Sequence, residues 1–283
     1  VVLLYITRPV DAIRLAIERV KRGRPVLEAE LARVGKMSRL TRDFNEMLER
    51  VHKSFADACH EIRTPLTILR GEAEVALRDP QARVVDYRDA LTNIVGGAKN
   101  LASLVDDFMF LSRSEVGQIR YEMQQVDVCH LLDEVVRQCG AHASIQQVEL
   151  DFKKPDASRT PFSVLGDPSR LRQLFVILVD NAIKYTEAGG RVDVGAKNEG
   201  ASIQVDVSDT GVGISSNDLP LVCDRFYRGA ASRAKKVDGC GLGLSIAKSI
   251  VQVHLGALQF DSDPGRGTTA LVTLPGLVHK QAP

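Results

Sequence analysis

The apolar residues Ala90, Ile94, Ala98, Leu101, Val105, Phe108 and Leu111 recur in steps of three and four, the spacing of a single helix face, over about six turns. A stripe this long must be covered by something. Upstream, Ile62, Leu66 and Leu69 lead towards Leu77 with the same spacing, and DPQARVVD at 79–86 supplies a turn between the two runs. Two antiparallel helices cannot hide such long stripes from each other completely, whereas two copies of the hairpin packed as a four-helix bundle can. Residues 54–118 are therefore expected to form a helical hairpin that pairs in a homodimer. The glycines Gly96 and Gly97 weaken its second helix locally.

No strand signal appears anywhere in the first 120 residues. Pro9 suits a first helical turn, Val10, Ile13, Ile17 and Val20 make one stripe, and Gly23 and Pro25 end it. After GRPVLEAE, the residues Met37, Leu40, Phe44, Leu48, Val51 and Phe55 read as a coiled-coil seam. Two of its consecutive steps are four, a stutter that unwinds a left-handed supercoil and marks a junction between bundles. The leading VVLLYI is too short to cross a bilayer, which takes about 20 apolar residues. It reads as the cytoplasmic end of a truncated membrane span, with Arg8 and Arg14 as positive flanks, or else as the start of a buried element.

After Gly117 short alternating runs mix with helices, the pattern of an α/β fold. In SIQVDVSD the residues Ile203, Val205 and Val207 face one way and the strand ends at Asp209; TALVTLP is a second strand. LRQLFVILVDNAIKY and GLSIAKSIVQVH read as helices, the first opened by Asp167 as N-cap and Pro168 at the first helical position. The formal net charge of +1 gives no reason to expect nucleic acid as a direct partner. The five cysteines are odd in number and lack metal or redox spacing, so they read as reduced thiols.

Chemistry concentrates in three places of this second fold. Asn181, Lys184 and Tyr185 share a helix face; an amide oxygen suits Mg²⁺ and a lysine one turn on neutralises phosphate, although for such a triplet alone a solvated helix face is the commoner explanation. In DTGVGI, Asp209 can accept a hydrogen bond from an exocyclic amine such as that of adenine, while Gly211 and Gly213 let backbone approach a ligand. In GCGLGLSIAKSI, Gly239, Gly241 and Gly243 lead into a helix, an arrangement that binds phosphate. Neither a P-loop nor a Rossmann fingerprint fits. Between the two glycine boxes runs a long connection carrying Arg225, Arg228, Arg233, Lys235 and Lys236, which reads as a basic lid over triphosphate.

Taken together, these boxes resemble the cytoplasmic part of a membrane-bound sensor histidine kinase of a bacterial two-component system. FADACHEIRTPLTIL is similar to the phosphoacceptor box of that family, LRQLFVILVDNAIKYT to its asparagine box, CDRFYRG to its aromatic box, and DTGVGI and GCGLGL to its glycine boxes; TRPVDAI through DFNEML resembles a HAMP relay. The resemblance implies a fold of several domains: an N-terminal helical coiled coil (1–53, HAMP-like, after a truncated span), a dimeric four-helix bundle (54–118) and a two-layer α/β sandwich that binds ATP (119–283). It implies His60 as phosphoacceptor, Glu61 as its acid-base partner and Thr64 as a residue of the reverse, phosphatase, reaction. It also implies Asn181 as Mg²⁺ ligand, Lys184, Tyr185 and Arg228 as nucleotide contacts, and Asp209 as adenine reader. The implied cofactors are ATP and Mg²⁺, and the implied partner is the receiver domain of a response regulator.

A neutral imidazole offers a lone pair to phosphorus without first losing a proton, which gives the histidine beside an acid in CHEIRTPL its physical sense. Pro65 lacks the N–H that would bond the Glu61 carbonyl, so the helix is expected to bend there. One position departs from the resemblance: Ile177 stands where the asparagine box has its first asparagine. Related ATP hydrolases carry a glutamate at that place to activate water, and isoleucine cannot. That weighs against an ATP-hydrolysing chaperone or clamp; a non-catalytic dimeric relay is the other alternative.

Overall fold

The computed structural model describes residues 56, 59, 61–78, 83–115, 117–155, 162–229 and 239–277. The HAMP-like segment, the seam from Met37 to Phe55, His60, and the lid residues Arg233, Lys235 and Lys236 lie outside the described residues.

Helix α1 occupies residues 61–78 and runs unbroken through Pro65, with the Thr67 hydroxyl donating to the Arg63 carbonyl at 2.8 Å. Helix α2 is Val84–Glu115. It starts inside the stretch read as a turn, because the Asp86 carboxylate accepts from the Arg83 backbone N–H at 2.8 Å and caps the end. The two helices run antiparallel: Leu69 lies against Gly97, and Ile68, Val75 and Ala76 share a groove with Tyr87 and Ala90. Large apolar side chains on both stay exposed, among them Leu66, Val75, Leu91 and Val95.

The α/β layer follows in the order β1 (Gln124–Asp127), α3 (Val128–Ile145), β2 (Glu149–Lys153), β3 (Ser163–Gly166), α4 (Pro168–Tyr185), β4 (Arg191–Asn198), β5 (Ser202–Asp209), α5 (Gly243–Val253), β6 (Ala257–Asp263) and β7 (Gly267–Pro275). A five-stranded sheet has the order β2-β4-β5-β7-β6, antiparallel except for the parallel pair β2/β4; β1 and β3 form a separate antiparallel pair. Alternation decides which face of the sheet is covered. Val192, Val194 and Ala196 of β4, Ile203, Val205 and Val207 of β5, and Ala270, Val272 and Leu274 of β7 are buried under the helices, and their sequence neighbours face outward.

Helix α4 begins as its sequence indicates. Asp167 accepts from the N–H groups of Ser169 and Arg170 at 3.0 and 3.2 Å, with Pro168 in the first turn. The same residue is a junction. Its second oxygen accepts from Glu122 N–H at 3.1 Å, and its own N–H donates at 3.0 Å to Nε2 of buried His254, whose Nδ1 lies 2.7 Å from the Ile250 carbonyl. Since Nε2 accepts, Nδ1 carries the proton, and His254 ties α5 to the start of α4.

Residues 61–283 make one unit, and α2 belongs to its core. Phe110 and Leu111 are buried among the sandwich residues, Phe108 packs on Phe226 with ring centroids 6.5 Å apart, and the Arg170 guanidinium sits 4.6 Å over the Phe110 ring. Leu111, expected on the stripe between hairpin helices, is thus covered by the α/β layer. Phe110, which stands off that stripe, is buried as well.

Candidate functional site

A cavity of about 630 Å³ opens between α4, the carboxyl end of β5, the loop after it and the start of α5. Asn181, Lys184, Tyr185, Asp209, Gly213, Arg228, Gly239, Gly241 and Gly243 all line it, so residues spread over more than sixty positions of sequence converge on one space. Gly211 stands just behind the wall and donates its N–H to Asp209 Oδ1 at 2.8 Å. Glu61 and Thr64 lie on α1 and are not among the lining residues.

Asp209 closes one end. Its Oδ1 accepts from the backbone of Gly211 and, at 3.2 Å, of Thr268, while Oδ2 makes no hydrogen bond among the described residues. Burial raises its pKa, and the two backbone donors oppose that rise. The carboxylate is therefore oriented through one oxygen and offers the other as an acceptor. The turn that follows needs glycine. Gly213 has φ 69°, and a Cβ there would run into the Asp263 carbonyl.

The opposite end is built by the start of α5. Among the described residues no side chain caps this helix, so its first N–H groups are left for another acceptor. Gly241, at φ 73°, lets the preceding loop pass close to Tyr227, and its carbonyl accepts from Phe226 N–H at 3.0 Å. Gly243 lies close against α4: a Cβ there would stand 3.3 Å from Ile177 Cγ2 and 3.9 Å from the Asn181 amide. The Asn181 amide and the open helix start thus share one corner. A single amide oxygen beside amides able to hold phosphate fits Mg²⁺, which takes most of its remaining ligands from water and phosphate.

Between the ends, Lys184 Nζ pairs with Asp180 Oδ2 at 2.6 Å, and Tyr227 donates to Asp218 Oδ1 at 2.5 Å, fastening the loop that carries Arg228. Ile177 lines the cavity as an apolar patch. Cys240 lines it too; burial pushes its thiol up, the Leu242 backbone N–H opposes that rise and the carboxylates of Asp107 and Glu61 add to it, so it is not an activated thiolate.

Several lining residues were not singled out from sequence. Asp180 carried a usable signal, since an acid four residues before a lysine on a helix forms a pair. Ser103 and Asp107 carried none: they stand on α2 and reach the cavity only because that helix packs on the α/β layer. The Asp107 carboxyl is pushed up to about 6, mainly by burial and secondarily by Asp106.

Residues 166–277 match the family described as histidine kinase-, DNA gyrase B- and HSP90-like ATPase, and residues 51–117 the His Kinase A (phospho-acceptor) domain. Similar curated proteins include the signal transduction histidine-protein kinase BaeS of Escherichia coli (strain K12), 32% identical over 84% of this chain and 51% of the relative. The sensor histidine kinase CusS of the same strain is 34% identical over 84% and 50%. ArlS of Staphylococcus aureus (strain USA300), also a signal transduction histidine-protein kinase, is 31% identical over 81% and 51%. The chain spans about half the length of these curated relatives. Among solved structures, full-length ShkA in complex with AMPPNP has a TM-score of 0.59 at 26% identity, over 80% of this chain and 45% of that one. The Acinetobacter baumannii histidine kinase AdeS shares the fold, with a TM-score of 0.62 at 22% identity over 77% and 98%.

Proposed function

The chain belongs to the sensor histidine kinases of two-component systems, and on that premise we propose that it uses Mg-ATP to phosphorylate its own His60 and passes the phosphoryl group to an aspartate of a response regulator. The observation that carries the reading is the convergence of Asp209, Asn181, Lys184 and the open start of α5 on one cavity. The adenine amine donates to Asp209, the phosphates lie on the amides of α5, and Lys184, Tyr185 and Arg228 hold them. Gly211 and Gly213 bring backbone against the base, and Gly239, Gly241 and Gly243 bring it against the phosphates. Asn181 holds Mg²⁺, which when bound neutralises charge on the triphosphate. The bound AMPPNP of ShkA supports the same use of the cavity.

In the reaction an N–P bond forms at the imidazole as the bond from phosphorus to the ADP oxygen breaks, and Glu61 takes the other ring proton. Thr64 serves the reverse direction by orienting water towards the aspartyl phosphate of the docked receiver domain. The active species is a homodimer built on 54–118, relaying a signal through 1–53 to the catalytic layer 119–283. It works on the cytoplasmic side of a cell membrane that the longer protein crosses; no described helix is long and apolar enough to span a bilayer. Ile177 in the cavity wall places no carboxylate at the position that activates water in related hydrolases, which favours transfer over hydrolysis.

The test is incubation of the chain with Mg-ATP labelled at the γ-phosphate. Acid-labile label that disappears in His60→Gln is expected. Acid-stable label, or label that survives that substitution, refutes the proposal.

A further inference from the structure

Three ionisable side chains meet where α3 stands beside the cavity wall. Asp180 Oδ2 lies 2.6 Å from Lys184 Nζ, and its other oxygen lies 2.8 Å from Nδ1 of His142 on α3. All three are about one-third exposed, at 31% for Asp180 and Lys184 and 32% for His142. Asp180 and Lys184 line the cavity and His142 stands outside its wall, so the carboxylate bridges a cavity-facing ammonium to a neighbouring helix.

An ammonium has three donors and can serve a carboxylate and a phosphate together, but its charge is then divided between them. A carboxylate at ion-pair distance in a partly desolvated wall cancels much of the attraction that a phosphate beyond the ammonium would feel. Its removal has an opposing effect, because a freed lysine must be ordered again on binding. Only the outer torsions of a side chain already two-thirds covered are released, whereas the whole carboxylate charge is lost. The electrostatic gain is the larger.

From this geometry we infer that Asp180 is a positioning residue that competes with the nucleotide phosphates for Lys184. His142 fixes the carboxylate in the competing place. The inference rests on the reading of the cavity as an ATP site. It gives the pair a task in the cycle, since a kinase must let the diphosphate product go, and a lysine already committed to a carboxylate holds that product less tightly.

The experiment is calorimetric titration of the whole chain with ADP and with adenosine, for the wild type, Asp180→Asn, Lys184→Met and the double variant. Asparagine keeps the shape and can still accept from His142. Asp180→Asn is expected to tighten ADP binding about tenfold, to leave adenosine binding unchanged, and to have no effect on ADP in the Lys184→Met background. Asp180→Ser, which removes the charge with a different shape, is expected to tighten ADP as well. ADP affinity unchanged or weakened in Asp180→Asn overturns the inference. So does equal tightening without Lys184, which would mean direct repulsion of phosphate, or a matching shift for adenosine. If the wild type binds ADP and these effects are missing, the role of Asp180 alone falls; if it binds neither ligand, the ATP-site reading falls with it.

Discussion

Replacing Asp107 with asparagine is expected to stabilise the folded chain at pH 8 and to do so about half as strongly at pH 5. Asp107 stands on α2 where that helix meets the cavity, and burial, followed by the like charge of Asp106, pushes its carboxyl from 3.8 to about 6. At about 1.4 kcal/mol per pKa unit, the ionised group costs the native state at most roughly 3 kcal/mol, and screening at the partly exposed rim brings this to about 1–2 kcal/mol. The native state holds this proton more tightly than the unfolded chain does. Its favourable contribution is therefore fully present below about pH 4 and is lost as pH rises through about 6. Asparagine has no proton to lose, so the advantage of the variant is full at pH 8 and about half as large at pH 5. Urea unfolding followed by far-UV circular dichroism at the two pH values measures the difference, the chain having no tryptophan for fluorescence. An equal advantage at both pH values, or a destabilised variant at pH 8, would refute the account of why this carboxyl is perturbed.

Asp209→Ala is expected to weaken ATP binding by roughly 1 to 3 kcal/mol in calorimetry, because the adenine amine loses its acceptor in a half-buried site, and GTP is expected to bind poorly to the wild type. Equal affinity for the two nucleotides would remove Asp209 from that role. Thr64→Ala is expected to keep self-phosphorylation near wild type and to slow dephosphorylation of the response regulator; loss of both activities, or of neither, counts against the assignment. Gly96→Ala meets nothing within 4 Å and is expected to raise stability by about 0.5 to 1 kcal/mol through helix propensity. Gly97→Ala would place Cβ 2.5 Å from Leu69 Cδ2, so its melting temperature is expected below that of Gly96→Ala.

Local pattern determined much of this protein. Alternation in SIQVDVSD settled both the strand and its buried side, Ser202–Asp209 with Ile203, Val205 and Val207 inward, and Asp167 followed by Pro168 settled where α4 starts. The glycine boxes and the Asn181 face were legible for the same reason: turn, cap and backbone approach are properties of a few neighbouring residues. Periodicity tells which face of an element is apolar but not what covers it. Leu111 was readable as buried, yet that the α/β layer covers it, and that Phe110 beside it is buried too, follows from the docking of α2. The same docking brings Ser103 and Asp107 to the cavity and gives Asp107 its raised pKa, which depends on desolvation by residues distant in the chain. The parallel pairing of β2 with β4 and the reach of His142 across to Asp180 are likewise decided by packing between elements. Desolvation, shared charge and burial between elements belong to the folded arrangement, and no short stretch of sequence encodes them.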